Sequence, residues 1–248
     1  MKIRLPLTLC FLALATSLLP AASSIDPKAL EALQRMSNTL AGAKALTVDT
    51  HSVLEVPAKT GQFLTLFSTA EVALKRPDKL RARLGGEAPA FDFVYDGNSV
   101  ASSAPATKVY SVAKAPPTID AMLSGLENET GIRFATAPLF FSNPYRVLTA
   151  GLTSAIVVGP ATVHGVACEH FAFRSPGVNW EIWIETGAKA LPRRLAVTFT
   201  DRTNFPRTLV EFSRWNLHPW LGDGGFVFKK PSDATEIPYL SVLKSAGR

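Results

Sequence analysis

The sequence predicts a mainly β chain with a minor helical part (α+β): a strongly curved antiparallel sheet or open barrel of about eleven strands, its hollow filled or capped by helices. Three observations lead there. Short runs rich in Val, Phe, Leu and Thr recur between Gly and Pro punctuation in both halves of the chain. One central stretch, about 117–150, switches to helical spacing. Serial hairpins with no internal repeat and no linker make one meandering sheet, so residues 25–248 read as a single domain.

The first element is an export signal over residues 1–24. Lys2 and Arg4 form a basic start, Leu5 to Leu19 is apolar, and Ala21-Ala22-Ser23-Ser24 supplies small residues for cleavage. The apolar run is shorter than the ~20 residues of a bilayer span, and no later run reaches that length. The remainder is expected in the periplasm, soluble and without a transmembrane segment. Cys10 follows Leu9 inside the run, so no lipid anchor is expected.

Asp26-Pro27 pairs an N-cap residue with proline at the first helical position. Leu30, Leu33, Met36 and Leu40 recur at helical spacing and Gly42 closes the segment, predicting a helix over 27–41. Six strand-like runs follow: Thr47–Val56, Gln62–Lys75, Lys79–Leu84, Ala90–Tyr95, Ser99–Ser103 and Lys108–Val112. Asp96-Gly97 between two of them is a tight hairpin turn. In 62–75, Phe63 and Phe67 alternate with Leu64 and Leu66, so both faces of that strand are partly apolar.

Ile119, Met122, Leu123 and Leu126 then fall at i, i+3, i+4 and i+7. Pro138 to Ala150 reads as short helices interrupted at Asn143-Pro144, and the insert carries Phe134, Phe140 and Phe141. Strands resume at Ala155–Val158, Val166–Phe173, Val178–Glu185, Arg193–Phe199, Arg207–Leu217 and Gly225–Phe228.

Composition narrows the function. Lys and Arg number 26 against 20 Asp and Glu, with two of the cations in the leader; for an exported chain this mild surplus makes nucleic acid an unsuited partner. Past the leader only Cys168 remains, so the fold is held by its apolar core and not by disulfides. His164, Cys168 and His170 are the sharpest cluster for a metal, but no second ligand pair follows, and strand and turn roles are preferred. Glu181 and Glu185 share a strand face about 13 Å apart, too far for a glycosidase pair at ~5–9.5 Å. There is no G-x-S-x-G, Walker or H-E-x-x-H motif, and Cys168 reads as an inert buried thiol. The expectation is a non-enzymatic protein without cofactor or metal.

Several segments together resemble a known family. They are Lys75-Arg76-Pro77-Asp78-Lys79-Leu80-Arg81, Tyr95-Asp96-Gly97-Asn98, Asn143-Pro144-Tyr145, Val163-His164-Gly165-Val166, Trp180-Glu181-Ile182-Trp183-Ile184, Leu191-Pro192-Arg193-Arg194-Leu195 and Phe226-Val227-Phe228 ahead of Pro231. Over roughly 28–235 the chain resembles a family of predicted periplasmic proteins of unknown function within the LolA/LolB-like superfamily of lipoprotein and lipid carriers. That resemblance implies an eleven-stranded half-barrel capped by helices, with an apolar cavity for acyl chains. It implies that Arg76 locks the lid or touches a polar head. The partner implied is a lipid or lipidated protein; relatives also include envelope-stress regulators, which implies the alternative of an envelope protein partner and a self-filled hollow. Leu30, Leu33, Phe63, Phe67, Met122, Leu123, Leu126, Phe140 and Phe141 are the candidate hollow and lid residues.

Overall fold

A computed structural model describes residues 25–87, 90–130 and 133–239. The export segment lies outside the described residues. Helix α1, Pro27–Gly42, starts where the sequence predicts: Asp26 accepts a hydrogen bond from the Lys28 amide at 2.9 Å, and Pro27 occupies the first turn. Its inward stripe is Ala29, Ala32, Leu33, Met36 and Leu40, all buried. Each of the larger ones contributes about 1.5–3 kcal/mol by leaving water.

Strands β1 (Ala45–Pro57), β2 (Phe63–Lys75), β3 (Lys79–Gly86), β4 (Phe91–Tyr95), β5 (Ser99–Ala104) and β6 (Val109–Lys114) form one meander. A helical insert follows, with α2 at Ile119–Thr130, a 3-10 turn at Ala137–Phe140 and α3 at Pro144–Thr149. A second meander comprises β7 (Ser154–Val163), β8 (Val166–Ser175), β9 (Val178–Glu185), β10 (Pro192–Phe199) and β11 (Arg207–Asn216), and β12 (Thr235–Glu236) comes last. β11 pairs antiparallel with β1, so the two meanders fuse into one sheet ordered β12-β6-β5-β4-β3-β2-β1-β11-β10-β9-β8-β7. The sheet is open and curved, and antiparallel except for its last member. Twelve strands are described where about eleven are expected.

The extra strand is β12, which runs parallel to β6. The expected strand at Gly225–Phe228 does not form; Asp223–Phe226 makes a 3-10 turn against the outer face of the sheet. Lys75 pairs with Asp223 at 2.7 Å, Arg81 donates to the Gly225 carbonyl at 3.0 Å, and Phe226 is buried, so side chains rather than a strand ladder hold this segment. β7 also outruns its prediction. Gly159-Pro160 suggests a stop, but β7 is an edge strand, where a missing amide is tolerated, and a register shift between Val157 and Gly159 absorbs the irregularity.

The predicted Asp96-Gly97 turn joins β4 to β5. The Asp96 carboxylate accepts from the amides of Asn98 and Ser99 at 2.9 and 2.7 Å. Gly97 has φ +90°, and a Cβ there would lie 2.7 Å from the Asp78 carboxylate, so both conformation and space require glycine.

One face of the sheet carries the core. Leu46 and Val48 of β1, Val72 and Leu74 of β2, Leu80 of β3 and Phe93 and Tyr95 of β4 are buried on it with Phe171, Phe173, Trp180, Ile182, Leu195, Val197, Val210 and Phe212 from the second meander. The register lines up these alternate positions: Val72 faces Val48 and Ala82, Leu80 faces Tyr95, and Ile182 faces Phe171 and Leu195. Helix α1 and the insert pack against this concave face. Trp180 points into it, stacked on Phe173 at 4.1 Å between centroids; Trp183, three positions on, stacks on His170 at 3.9 Å on the other face.

Candidate ligand-binding hollow

The insert does not fill the concave face. Two apolar cavities remain, one on either side of the strap Arg133–Pro138. The first, about 230 Å³, is walled by β1–β4 and β11 through Leu54, Ala70, Val72, Ala82, Leu84, Phe91, Phe93 and Val210, and roofed by Leu123, Leu126, Phe134 and Phe140. The second, about 360 Å³, lies between the strap, α3 and the β8–β10 wall, lined by Pro138, Phe141, Val147, Leu148, Val178, Trp180, Leu195, Val197 and Phe199. Leu123, Arg133, Phe134, Ala135 and Ala137 line both. A small hydroxyl group, Thr50, Ser52, Ser68 and Thr208, is the polar corner of the first cavity.

Arg76, in the β2–β3 turn, fastens the insert just past the strap. Its guanidinium donates to the carbonyls of Phe140 and Phe141 at 3.1 and 3.0 Å, and to Leu40 near the end of α1 at 3.4 Å. Its Nε is buried without a hydrogen-bond partner among the described residues. Burial pushes the Arg76 pKa down from its ordinary value, and Asp120 acts in the opposite sense. The Asp120 carboxylate in turn accepts from the Ser142 amide and hydroxyl at 2.8 and 2.6 Å. The root of α2 is tied as well: the Ile119 amide donates to Pro77, and the Tyr95 hydroxyl donates to the Pro116 carbonyl at 2.5 Å. Burial, then the nearby Asp78 and Asp96, push the Tyr95 hydroxyl up to about 12, so it keeps its proton.

The sequence-predicted residues divide. Leu123, Leu126 and Phe140 meet in the first cavity and Phe141 lines the second. Leu33 and Met122 are buried in the core, and Leu30 is half-buried on α1. Phe63 and Phe67 do not face the hollow. They are 42% and 58% exposed, because odd positions of β2 point outward while Ser68, Ala70 and Val72 point in. Sequence reading missed the sheet wall and the strap. The wall is an alternation of small and large apolar residues, visible only once parity is known; the strap has no periodicity to find.

The other candidate chemistry is placed on the outer face. His164 contacts Glu211 at 2.7 Å, and His170 contacts Glu181 at 3.0 Å. Glu181 also holds Arg207, and Glu185 holds Arg193. Cys168 is buried, and burial pushes its thiol pKa up. No group of three or more metal-ligating side chains occurs among the described residues.

An open, curved sheet with an apolar hollow under a clasped helical insert defines a covered half-barrel. The chain belongs to a family described as predicted periplasmic protein (DUF2092), whose model matches residues 29–240. No curated protein matches it. Among solved structures it is similar to the lipoprotein LppX of Mycobacterium tuberculosis, at 14% identity over 77% of this chain and 96% of that one, with a TM-score of 0.49. An uncharacterized conserved protein from Thermus thermophilus has 14% identity over 85% and 98%, with the same score. A LolA superfamily protein from Nitrosomonas europaea has 8% identity over 81% and 97%, with a TM-score of 0.42. No helix among the described residues is long and apolar enough to cross a membrane.

Proposed function

We propose that this protein is a non-enzymatic periplasmic binding or carrier protein that takes the acyl part of a lipid or lipidated protein into its hollow. The observation that carries the reading is the pair of apolar cavities left beneath an insert that one arginine clasps. Burying one methylene is worth about 0.8 kcal/mol, so a chain of about a dozen supplies on the order of 10 kcal/mol before entropic costs. One hydrogen bond adds about 1 kcal/mol. Affinity therefore resides in the apolar walls, and the Arg76 clasp acts as a lid fastening that must release for entry. The test is native mass spectrometry of protein purified from its own periplasm without detergent, with displacement of a fluorescent fatty acid as the second readout. A bound amphiphile released by organic solvent supports the reading; an apo mass together with no probe binding refutes it.

A second reading rests on Trp220, which is 93% exposed on the loop after β11, while Trp215 is half-buried and donates to the Pro192 carbonyl. A large aromatic side chain held in water suits an anchor for an envelope protein partner. A pull-down in which Trp220→Ala retains as much partner as the parent removes this reading.

A further inference from the structure

Both cavities have part of their lining at the same end of the sheet. Leu54, Leu84, Phe91 and Thr208, which line the first, sit at the strand ends next to the β1–β2, β3–β4 and β10–β11 turns. Ser175, Pro176, Val178 and Phe199, which line the second, sit at the β8–β9 and β10–β11 turns, and the antiparallel register brings all of these to one rim. The strap lies between the two cavities, and Arg133 on it lines both.

We infer that the hollow takes one amphiphile carrying two acyl chains on a common backbone, one chain passing on each side of the Arg133–Pro138 strap. The inference rests on the lipid-binding reading and adds the chain number. Four features argue for it. The first lobe, at about 230 Å³, falls below the ~300–1,000 Å³ of ligand pockets and the second, at about 360 Å³, stands at its low end, so neither suits a whole lipid alone. The lobes share a wall, so ligands in both are neighbours there. Their inner linings are uncharged: among the described residues, Arg133 and Glu127 are the only ionisable side chains lining either one. Finally, the charges gather where the two chains would join. Arg133 bonds Asp201 at 2.7 Å and Glu127 at 3.4 Å and lies over the Phe199 ring at 5.6 Å. This partly exposed ion cluster of both signs is where a polar head meets water. A single-chain ligand leaves one apolar lobe unfilled and gains nothing from the shared wall.

The chemistry fits either a free diacyl lipid or the diacylglyceryl group of a lipidated protein, and the experiment separates them. The full chain is titrated with dioleoyl phosphatidylglycerol, with its single-chain lyso form, and with a synthetic diacylglyceryl-cysteine peptide, and stoichiometry is read by native mass spectrometry. The expected result is one diacyl molecule per protein, with the lyso form weaker by roughly tenfold or more. The tighter of the two diacyl probes names the source. Ala82→Phe narrows the first lobe and Val178→Trp the second; each is expected to lower diacyl binding by roughly tenfold, toward the level of the lyso form on the parent chain. Lyso binding as tight as diacyl, or two lyso molecules bound independently, overturns the two-chain inference and leaves the lipid reading standing. No binding of any probe overturns the lipid reading itself. The comparison of diacyl with lyso on the parent chain decides the matter even where a variant does not fold.

Discussion

Arg76 and Phe140 lie far apart in the sequence and are joined by a hydrogen bond of 3.1 Å, from the guanidinium to the backbone carbonyl. With the bonds to Phe141 and Leu40, this one side chain connects the end of β2, the insert and α1. Hydrogen bonds from charged groups are worth about 1.5–3 kcal/mol each. Arg76→Ala is expected to loosen the insert before it unfolds the sheet. Hydrogen exchange should rise over residues 134–149 while the amides of β8–β10 stay protected. Arg76→Lys, which lacks the planar fork, should give an intermediate result. Uniform loss of protection across the molecule would show that the clasp is part of the global fold and not a local fastening.

The two faces of β2 predict opposite outcomes for two apolar truncations. Leu74 is fully buried between β1 and β3. Leu74→Ala should cost about 2–5 kcal/mol in denaturant unfolding. Phe67 is 58% exposed, and Phe67→Ser should change stability by no more than about 0.5 kcal/mol. A large loss at Phe67 would place that side chain against a neighbour the fold does not show.

Gly97 tests the β4–β5 turn. Alanine there meets both a left-handed φ and the Asp78 carboxylate, so Gly97→Ala should destabilise by about 1–3 kcal/mol. Gly61, with φ +84° and open space around a Cβ, has the backbone cost alone and should lose less. Thermal melts of the two variants side by side give the difference.

Acid should unfold the protein partly through Glu211. Burial acts to raise its pKa, but hydrogen bonds from His164 and Arg194 outweigh it and hold the carboxyl below its ordinary value. A carboxyl depressed in the folded state contributes stability that is present above its unfolded pKa, about 4.3, and lost as pH falls through the lower folded value. Glu211→Gln should therefore lower stability at neutral pH and flatten the dependence below about pH 5. An unchanged acid limb in urea titrations would assign acid sensitivity to other carboxylates, Asp96 first among them, since Ser99 and Asn98 hold it low against the effect of burial.

Much of the scaffold is legible from local chemistry. Asp26-Pro27 starts a helix, Asp96-Gly97 turns a hairpin, and the i, i+3, i+4, i+7 pattern from Ile119 places Leu123 and Leu126 over the hollow. Parity is where the reading fails. β2 is apolar on both faces, so its sequence does not tell which side is inward, and Phe63 and Phe67 look like lining. They point outward on an arm that outruns its neighbours: β3 pairs no further than Ser68, and β11 no further than Leu54. Only the sheet as a whole decides that. Trp180 and Trp183 pose the same choice, settled by the Phe173 and His170 that stack on them from β8. The strap between the cavities carries no periodic signal at all, because it is held by Arg133 to Asp201 and by the roof it forms, both long-range.

The junction of β1 with β11 has a consequence for assembly. Within each meander, strands pair with neighbours adjacent in sequence, and such hairpins form within about 1–10 µs. The β1–β11 seam instead joins segments from opposite ends of the fold, so its closure waits on a long loop search. The first cavity draws walls from both sides of that seam, with Thr208 and Val210 on one side and Thr50, Ser52 and Leu54 on the other. A chain still emerging into the periplasm, with only its first six strands across, has no container to offer. On the proposed binding role, capture of a ligand doubles as a checkpoint, reporting that translocation is finished and the two halves have been zipped.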